Sequence, residues 1–370
     1  MNRPRQHRRP AGWQPAAGSR LPRPRVTGDL IATLTARLTP RDRWLLHALH
    51  EYRVLTSTHI GQMLFGSQRA TNARLHTLHQ LRAVDRFRPL TPIGSAPWHY
   101  VLDDAGAAVL AAATGVTLAE LGHRRDRALA LAHSPRLAHL TGVNTLFTSL
   151  IAHARQHPGL RLALWWPEHR CRTVWGDLAR PDAYGRWQHQ HTNPRTSIHR
   201  SPHTSIDFFL EHDTGTEPLN RVADKLNGYA DLADATGITT PVLINLPSPR
   251  REAHLRQLLT HPPVPVATTN TSEYPNPAIE VWLPPGADAD APRVSLLDLD
   301  ADLGADLAAG APHTSLPAAA STDPIQPEPI PTNAPLGAPI GLAAAWDLPT
   351  ALPDLPAPAR AGTPNGGHRR

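Results

Sequence analysis

The sequence is poor in several residue types on which common protein classes depend. The sequence contains 37 lysine and arginine residues in total. Only Lys225 is a lysine, and all the others are arginines. Cys171 is the only cysteine, so no disulfide can form within the chain, which fits a reducing cytoplasm. No run of 18 apolar residues is present, and the basic N-terminus lacks the apolar stretch of a secretory signal. We therefore expect a cytoplasmic protein without a membrane partner.

Several catalytic and nucleotide-binding motifs are also missing. The chain has no G-x-x-x-x-G-K-[S/T] loop, no G-x-G-x-x-G after a predicted strand and no G-x-S-x-G elbow. The formal net charge is +6 and the isoelectric point is near 10.2. A basic chain of this kind favours a polyanionic partner, and double-stranded DNA is the first expectation.

Both ends of the chain have compositions that do not support a packed core. Residues 1–26 contain seven arginines and five prolines, and prolines, alanines and small polar residues dominate from about residue 285 onward. Such segments bury too little apolar surface to fold alone. We predict a disordered basic arm over 1–34 and a disordered tail over 286–370.

Residues 35–104 have the pattern of a winged helix-turn-helix domain. Thr39 and Pro40 open a first helix, a second is predicted over Ser57–Leu64, and Ser67 caps a third over Gln68–Leu81. Two short strands follow, near Val84–Arg88 and His99–Leu102. Residues 105–135 are then expected to form a helical linker.

The third helix has two contrasting faces. Its apolar residues fall on one side, and donor-rich side chains that can reach base edges fall on the other. Arg74 lies nearer the apolar edge, but its long stem can carry the guanidinium to a phosphate. An alternative use for such a polar face is protein contact. The residues predicted to bind DNA, including two on the hairpin, are Arg69, Asn72, Arg74, His76, Gln80, Arg86 and Arg88.

After a strong amphipathic helix at 140–157, the pattern changes to strands. Strands are expected at 160–166, 179–187 and 205–213, then a helix at 217–232 and a strand at 241–247. A helix at 251–259 and strands at 264–269 and 278–284 complete the order. A central sheet flanked by helices is the natural packing, so we predict an α/β domain over 136–285.

Carboxylates occur where strands of this domain end. Asp182 lies in the sequence RPD, Glu211 ends the apolar run IDFFLEHD, and Asp213 shares its strand face. A carboxylate beside a buried strand is costly unless something binds it. Oxygen ligands of this kind suit Mg²⁺, so Asp182, Glu211 and Asp213 are candidate metal ligands. Lys225 follows on a helix and can supply a compact positive charge to a phosphate transition state.

Two resemblances follow from these residues. LTPRDRWLLHALHEYRVLTSTHIGQMLFGSQRATNARLHTLHQLRAVDRFRP, GSAPWHYVLDDAGA, ARPDAYGRW, FFLEHDTGTEPLNRVADKLNGYADL and PVLINLPSPRREAHLR together resemble the replication-relaxation family of actinobacterial proteins, over roughly residues 35–285. That resemblance implies a winged-helix region and a role in replication, relaxation or transfer of a plasmid or other mobile element.

The second half is similar to the PD-(D/E)xK nuclease superfamily, which has a restriction-endonuclease-like α/β fold. The resemblance implies catalytic roles for Asp182, Glu211 and Lys225. The sequence departs from the motif, because Glu-His-Asp stands where the superfamily has a carboxylate, any residue and lysine. Lys225 would then act from the following helix, as in some members.

Three functions remain open from the sequence. The first is a sequence-selective DNA-binding protein, and the second is a Mg²⁺-dependent endonuclease targeted by the winged helix. The third is a non-catalytic interaction protein or transcriptional regulator, whose second half forms a homodimer or recruits replication or conjugation proteins.

Overall fold

The computed structural model of the protein describes residues 25–91, 94–189, 205–237, 240–288 and 290–299. Most of the predicted basic arm and of the predicted Pro/Ala-rich tail lies outside these ranges. The described residues form a mixed α/β fold with two sheets.

The first part of the chain forms four helices and a small antiparallel sheet, in the strand order β1-β3-β2. Leu34 on the first helix is fully buried, so the predicted arm boundary at residue 34 is wrong: it cuts through an ordered helix. The elements are α1 (Gly28–Arg37), α2 (Pro40–Tyr52), β1 (Leu55–Thr56), α3 (Ser57–Leu64), α4 (Gln68–Gln80), β2 (Val84–Phe87) and β3 (His99–Leu102).

Helix α2 begins where the sequence predicts it. The Thr39 side chain accepts a hydrogen bond from the Asp42 amide, and the Asp42 carboxylate accepts one from the Thr39 amide at 2.7 Å. Pro40 occupies the first turn, where its missing N–H costs nothing. Ser67 caps α4 in the same way, by accepting a hydrogen bond from the Ala70 amide.

The segment predicted as a helical linker is helical, and part of it is packed in the core. It forms α5 (Asp104–Thr114), α6 (Leu118–Leu121), α7 (Arg125–Ala130) and a short 3₁₀ helix (Leu131–His133). Small side chains let α5 pack closely: a Cβ on Gly106 would lie 2.0 Å from the Ala83 carbonyl oxygen. The alanine-rich sequence of α5 is typical of a spacer, but in the structure this segment is a tightly packed helix.

In the described part of the chain, no single helix has the length and apolar character to cross a membrane. The pair Asp104–Thr114 and Leu118–His133 reaches that length and composition only across a bend of 105°.

The second part of the chain builds a five-stranded sheet in the order β4-β5-β6-β7-β8. The first three strands are antiparallel, and the last three are parallel. Its elements are α8 (Leu137–Ala154), β4 (Leu160–Pro167), α9 (Glu168–Trp175), β5 (Ala183–His189), β6 (Ser205–His212), α10 (Leu219–Thr236), β7 (Val242–Leu246), α11 (Pro249–Leu258) and β8 (Val266–Asn270).

Two features of this half differ from the sequence prediction. Helix α9 was not predicted, and the strand expected at 278–284 is reduced to two isolated bridges, Thr268 with Leu283 and Trp282 with Val294. The predicted tail boundary at 286 is also wrong, because Leu296 and Leu299 are fully buried.

Helix α8 and strand β4 join the two parts into one hydrophobic core. The Tyr52 ring of α2 stacks on the Trp165 ring of β4 at 3.5 Å between centroids, and Phe147 of α8 stacks on Trp165 at 4.9 Å. Asn144 of α8 donates to the Val54 carbonyl at 2.7 Å. The helical unit is therefore fixed to the sheet and is not tethered through a flexible segment.

Candidate functional site

A cleft of about 380 Å³ lies where three elements of the second half meet. The start of α8, the end of β6 and the segment leading into α10 form its walls. Its ionisable lining residues are Arg136, His139, Glu211, His212, Asp213, Glu217, Arg221 and Lys225.

Glu211 and Lys225 meet in this cleft. Glu211 is almost completely buried at the end of β6, and the Lys225 ammonium lies 2.9 Å from its Oε2. The Tyr229 hydroxyl, one turn further along α10, donates to Oε1 at 2.5 Å. Lys225 also lies 3.6 Å from Glu217. Helix α10 thus folds back along the sheet, which brings the lysine to the strand end.

Burial outweighs the neighbouring charges at Glu211, whereas the neighbouring charges outweigh burial at Lys225. Burial and the nearby Asp182 charge raise the pKa of Glu211 to about 7, although Lys225 and Tyr229 act in the opposite direction. Burial would lower the pKa of Lys225, but the carboxylates of Glu211 and Asp182 raise it above its ordinary value. The lysine therefore stays charged at neutral pH, while Glu211 takes up a proton readily.

Asp182 binds a histidine that the sequence did not single out. The Nε2 atom of His139 on α8 lies 3.1 Å from Asp182 Oδ1, and the His212 amide donates to Oδ2 at 2.7 Å. Burial would raise the pKa of Asp182, but the bond and charge of His139 hold it below the ordinary value. Burial would lower the pKa of His139, and Asp182 raises it instead.

A glycine permits this arrangement. A Cβ on Gly142 would lie 1.9 Å from His212 Nε2, so α8 approaches the end of β6 only because residue 142 has no side chain. The buried His212 ring also contacts Asn245, at 3.2 Å between Nδ1 and Nδ2. Burial and the neighbouring His139 lower the pKa of His212 to about 4, so this ring is neutral at pH 7.

The predicted metal ligands do not form an open set of oxygen donors. Both oxygens of Asp182 and both oxygens of Glu211 have protein partners. Asp213 pairs with Arg251 of α11 and accepts a hydrogen bond from the Gly215 amide at 2.8 Å. Among the described residues, no group of three or more His, Cys, Asp or Glu side chains is arranged to hold a metal ion.

A second candidate surface lies on α4. Leu75 and Leu78 are fully buried against the helical unit, and the donor-rich residues predicted to contact DNA are exposed on the opposite side. Gln68 donates a hydrogen bond to Asn72 at 2.8 Å, and this contact orders the Asn72 side chain. Arg74 lies apart from this face, because Asp42 holds its guanidinium. The exposed set is Arg69, Asn72, His76 and Gln80.

The hairpin arginines share one aromatic partner. The guanidinium carbons of Arg86 and Arg88 lie 4.2 and 4.4 Å from the centre of the Trp98 ring. Arg86 also donates to the Tyr100 hydroxyl at 3.4 Å. Stacking on an aromatic ring orders the guanidinium groups without neutralising their charge.

Comparison with known proteins identifies the family. The architecture defines a mixed α/β protein that carries a helical unit on one side of its sheet. A family described as replication-relaxation matches residues 46–246, which is more than half of the chain. The chain therefore belongs to the replication-relaxation family. No curated protein and no solved structure matches it.

Proposed function

We propose that this protein binds double-stranded DNA in the cytoplasm and acts in the replication, relaxation or transfer of a plasmid or other mobile element. The observation that carries the proposal is the two-faced α4. Its leucines are buried, and Arg69, Asn72, His76 and Gln80 stand exposed on one side. These side chains are long enough to donate to base edges in a major groove.

The order of elements around α4 supports this proposal. Helices α2, α3 and α4 precede the β2–β3 hairpin, and β1 pairs with β3 on the outer side of the sheet. This is the order of a winged helix-turn-helix domain, in which α4 is the recognition helix and the hairpin is the wing. Arg86 and Arg88 on that wing would contact phosphate, which positions the helix but reads no sequence.

Fluorescence polarisation with labelled duplexes tests the proposal. We expect Arg69→Ala combined with His76→Ala to weaken specific binding at least tenfold, because each good base contact contributes on the order of 1–3 kcal/mol. Arg172→Ala is the matched control, since Arg172 is an exposed arginine on α9. The proposal fails if the double variant keeps the affinity and selectivity of the wild type.

A second candidate function is phosphodiester cleavage in the cleft. One observation favours it: Lys225 and Glu211, 14 residues apart in sequence, lie in contact beside Asp182. A plasmid-nicking assay, run with Mg²⁺ and with chelator, compares the wild type with Asp182→Ala and Glu211→Ala. Cleavage by the wild type that both variants lose would support an endonuclease. If the supercoiled DNA stays intact with all three proteins, cleavage is excluded and DNA binding is the remaining function.

Association with itself or with replication or conjugation proteins is the remaining alternative. Light scattering on the full chain, with and without DNA, distinguishes a monomer from a homodimer. A dimer that persists without DNA would favour an interaction role for the second half.

A further inference from the structure

In two of the ion pairs at the cleft, the nitrogen donor is more exposed than its carboxylate partner. The Lys225 side chain is 40% exposed, whereas that of its partner Glu211 is 4% exposed. The base is also the more exposed partner in the other pair, since His139 is 27% exposed and Asp182 is 11% exposed. In both pairs the base faces the cleft and the acid lies behind it.

These pairings change what the cleft can bind. The oxygens of Asp182 and Glu211 already accept hydrogen bonds, so the groups left facing the cleft from these pairs are nitrogen donors. Arg221 is exposed and lines the same space. The two other acids of the lining are also paired, Glu217 with Lys225 at 3.6 Å and Asp213 with Arg251, so the exposed nitrogen donors favour an anion over a cation.

The N-terminal ends of two helices add positive potential to the cleft. Helices α8 and α10 both begin at the cleft, each is 18 residues long, and neither has a side-chain cap. Their first backbone N–H groups carry partial positive charge, which stabilises a nearby anion. The helix ends reinforce the donors contributed by the side chains.

We propose that the cleft binds a phosphate group of a nucleic acid strand directly through Lys225 and His139, with Glu211 and Asp182 as the partners that position these two side chains. No metal ion takes part in this contact. The proposal goes beyond DNA recognition by α4, and it holds whether or not the strand is cleaved.

The size of the cleft restricts its occupant. A volume of about 380 Å³ lies at the lower end of small-ligand sites, which span roughly 300–1,000 Å³. The cleft therefore accommodates one phosphate with its sugar and not a duplex. That phosphate is either a strand terminus or an internal diester, and the two sources share the same oxygen chemistry.

Isothermal titration calorimetry on the full chain in chelator tests the proposal. The probes are a thymidine dinucleotide with a 5′-phosphate, the same dinucleotide without it, and inorganic phosphate. We expect the wild type to bind at least one of these probes. Preference for the first probe over the second identifies a terminal phosphate as the source, and equal binding of these two identifies the internal diester.

Variants then test whether His139 and Lys225 contact the phosphate. His139→Leu and Lys225→Met should each weaken binding at least tenfold, because each removes a donor to the phosphate oxygens. Arg172→Ala should bind as the wild type does. Arg69→Ala combined with His76→Ala should also bind these short probes normally, since they do not reach α4. The proposal is overturned if the His139 and Lys225 variants keep the wild-type affinity, or if the wild type binds no probe until Mg²⁺ is added.

A double variant keeps the test valid if loss of Lys225 destabilises the fold. Glu211→Gln combined with Lys225→Met removes both members of the pair and leaves no unpaired buried charge. Circular dichroism confirms its folding, and it should still fail to bind the probes. Wild-type affinity in this folded variant would refute the proposal. A negative nicking assay would refute cleavage alone and leave phosphate binding in place.

Discussion

Arg74 of α4 and Asp42 of α2 form a two-point ion pair across the helical unit. The Arg74 Nε atom lies 2.9 Å from Asp42 Oδ1, and its terminal nitrogen lies 2.5 Å from Oδ2. Asp42 is 1% exposed and also accepts a hydrogen bond from the Thr39 amide at the start of α2. The pair therefore ties α4 to the start of α2.

Replacing Arg74 with alanine should lower the stability of the fold. We expect a loss of about 1–3 kcal/mol in the free energy of unfolding, because a buried carboxylate loses its charged donor. Urea unfolding followed by circular dichroism measures this. Arg69→Ala, on the exposed face of the same helix, should change stability by less than about 0.5 kcal/mol. Equal stability of the two variants would contradict the role assigned to Arg74.

Stability should depend on pH through Glu211. Its pKa rises from 4.5 in an open chain to about 7 in the fold, so the folded state binds more protons between these values. The stability contributed by Glu211 is therefore complete below pH 4.5 and is lost as the pH rises towards 7. The total loss, complete once the pH has passed through 7, is on the order of 3 kcal/mol.

Glu211→Gln should remove this dependence. We expect the unfolding free energy of the variant to fall less than that of the wild type between pH 4.5 and 7, while Asp182, with its depressed pKa, contributes to both proteins. Chemical denaturation at several pH values gives the comparison. Parallel curves for the two proteins would show that Glu211 does not titrate in this range.

A methyl group on residue 142 should disturb the cleft. Gly142→Ala would place a Cβ 1.9 Å from His212 Nε2, so α8 or the imidazole must move. Overpacking of this kind costs about 1–3 kcal/mol. Gly28→Ala is the matched control, since a Cβ there meets nothing within 4 Å, and alanine favours a helix. Thermal unfolding should separate the two variants, and a tolerated Gly142→Ala would disprove the close packing.

The helical unit and the sheet should unfold together. Asn144 donates to the Val54 and Tyr52 carbonyls, and Asn144→Ala leaves both without this donor, at a cost of about 1–3 kcal/mol. Because the core is continuous, the loss should shift one common transition. Differential scanning calorimetry tests this, and two separate transitions in the wild type would contradict it.

Local signals in the sequence predicted the elements they govern. Thr39, Pro40 and Asp42 define the start of α2, and Ser67 defines that of α4, because capping depends on neighbours three residues apart. The faces of α4 also follow from periodicity alone. The contact between Lys225 and Glu211 could only be suspected, because it depends on how α10 packs against the sheet.

His139 was missed because its partner is remote in sequence. It lies 43 positions before Asp182, and no local pattern distinguishes it from the other histidines of the chain. The domain boundaries failed for a related reason. Alanine-rich α5 and the leucines near residue 296 resemble spacers until their packing partners are known.

The stack of Tyr52 on Trp165 has a consequence for any DNA that occupies both surfaces at once. Because this stack lies in a core shared by the helical unit and the sheet, DNA bound as proposed at α4 and at the cleft would meet two contacts at one fixed spacing. Adding five base pairs between the two contacts would turn the second one to the far side of the duplex, because one helical turn takes about 10 base pairs. Adding ten would restore the phase, so the protein would measure spacing in whole turns.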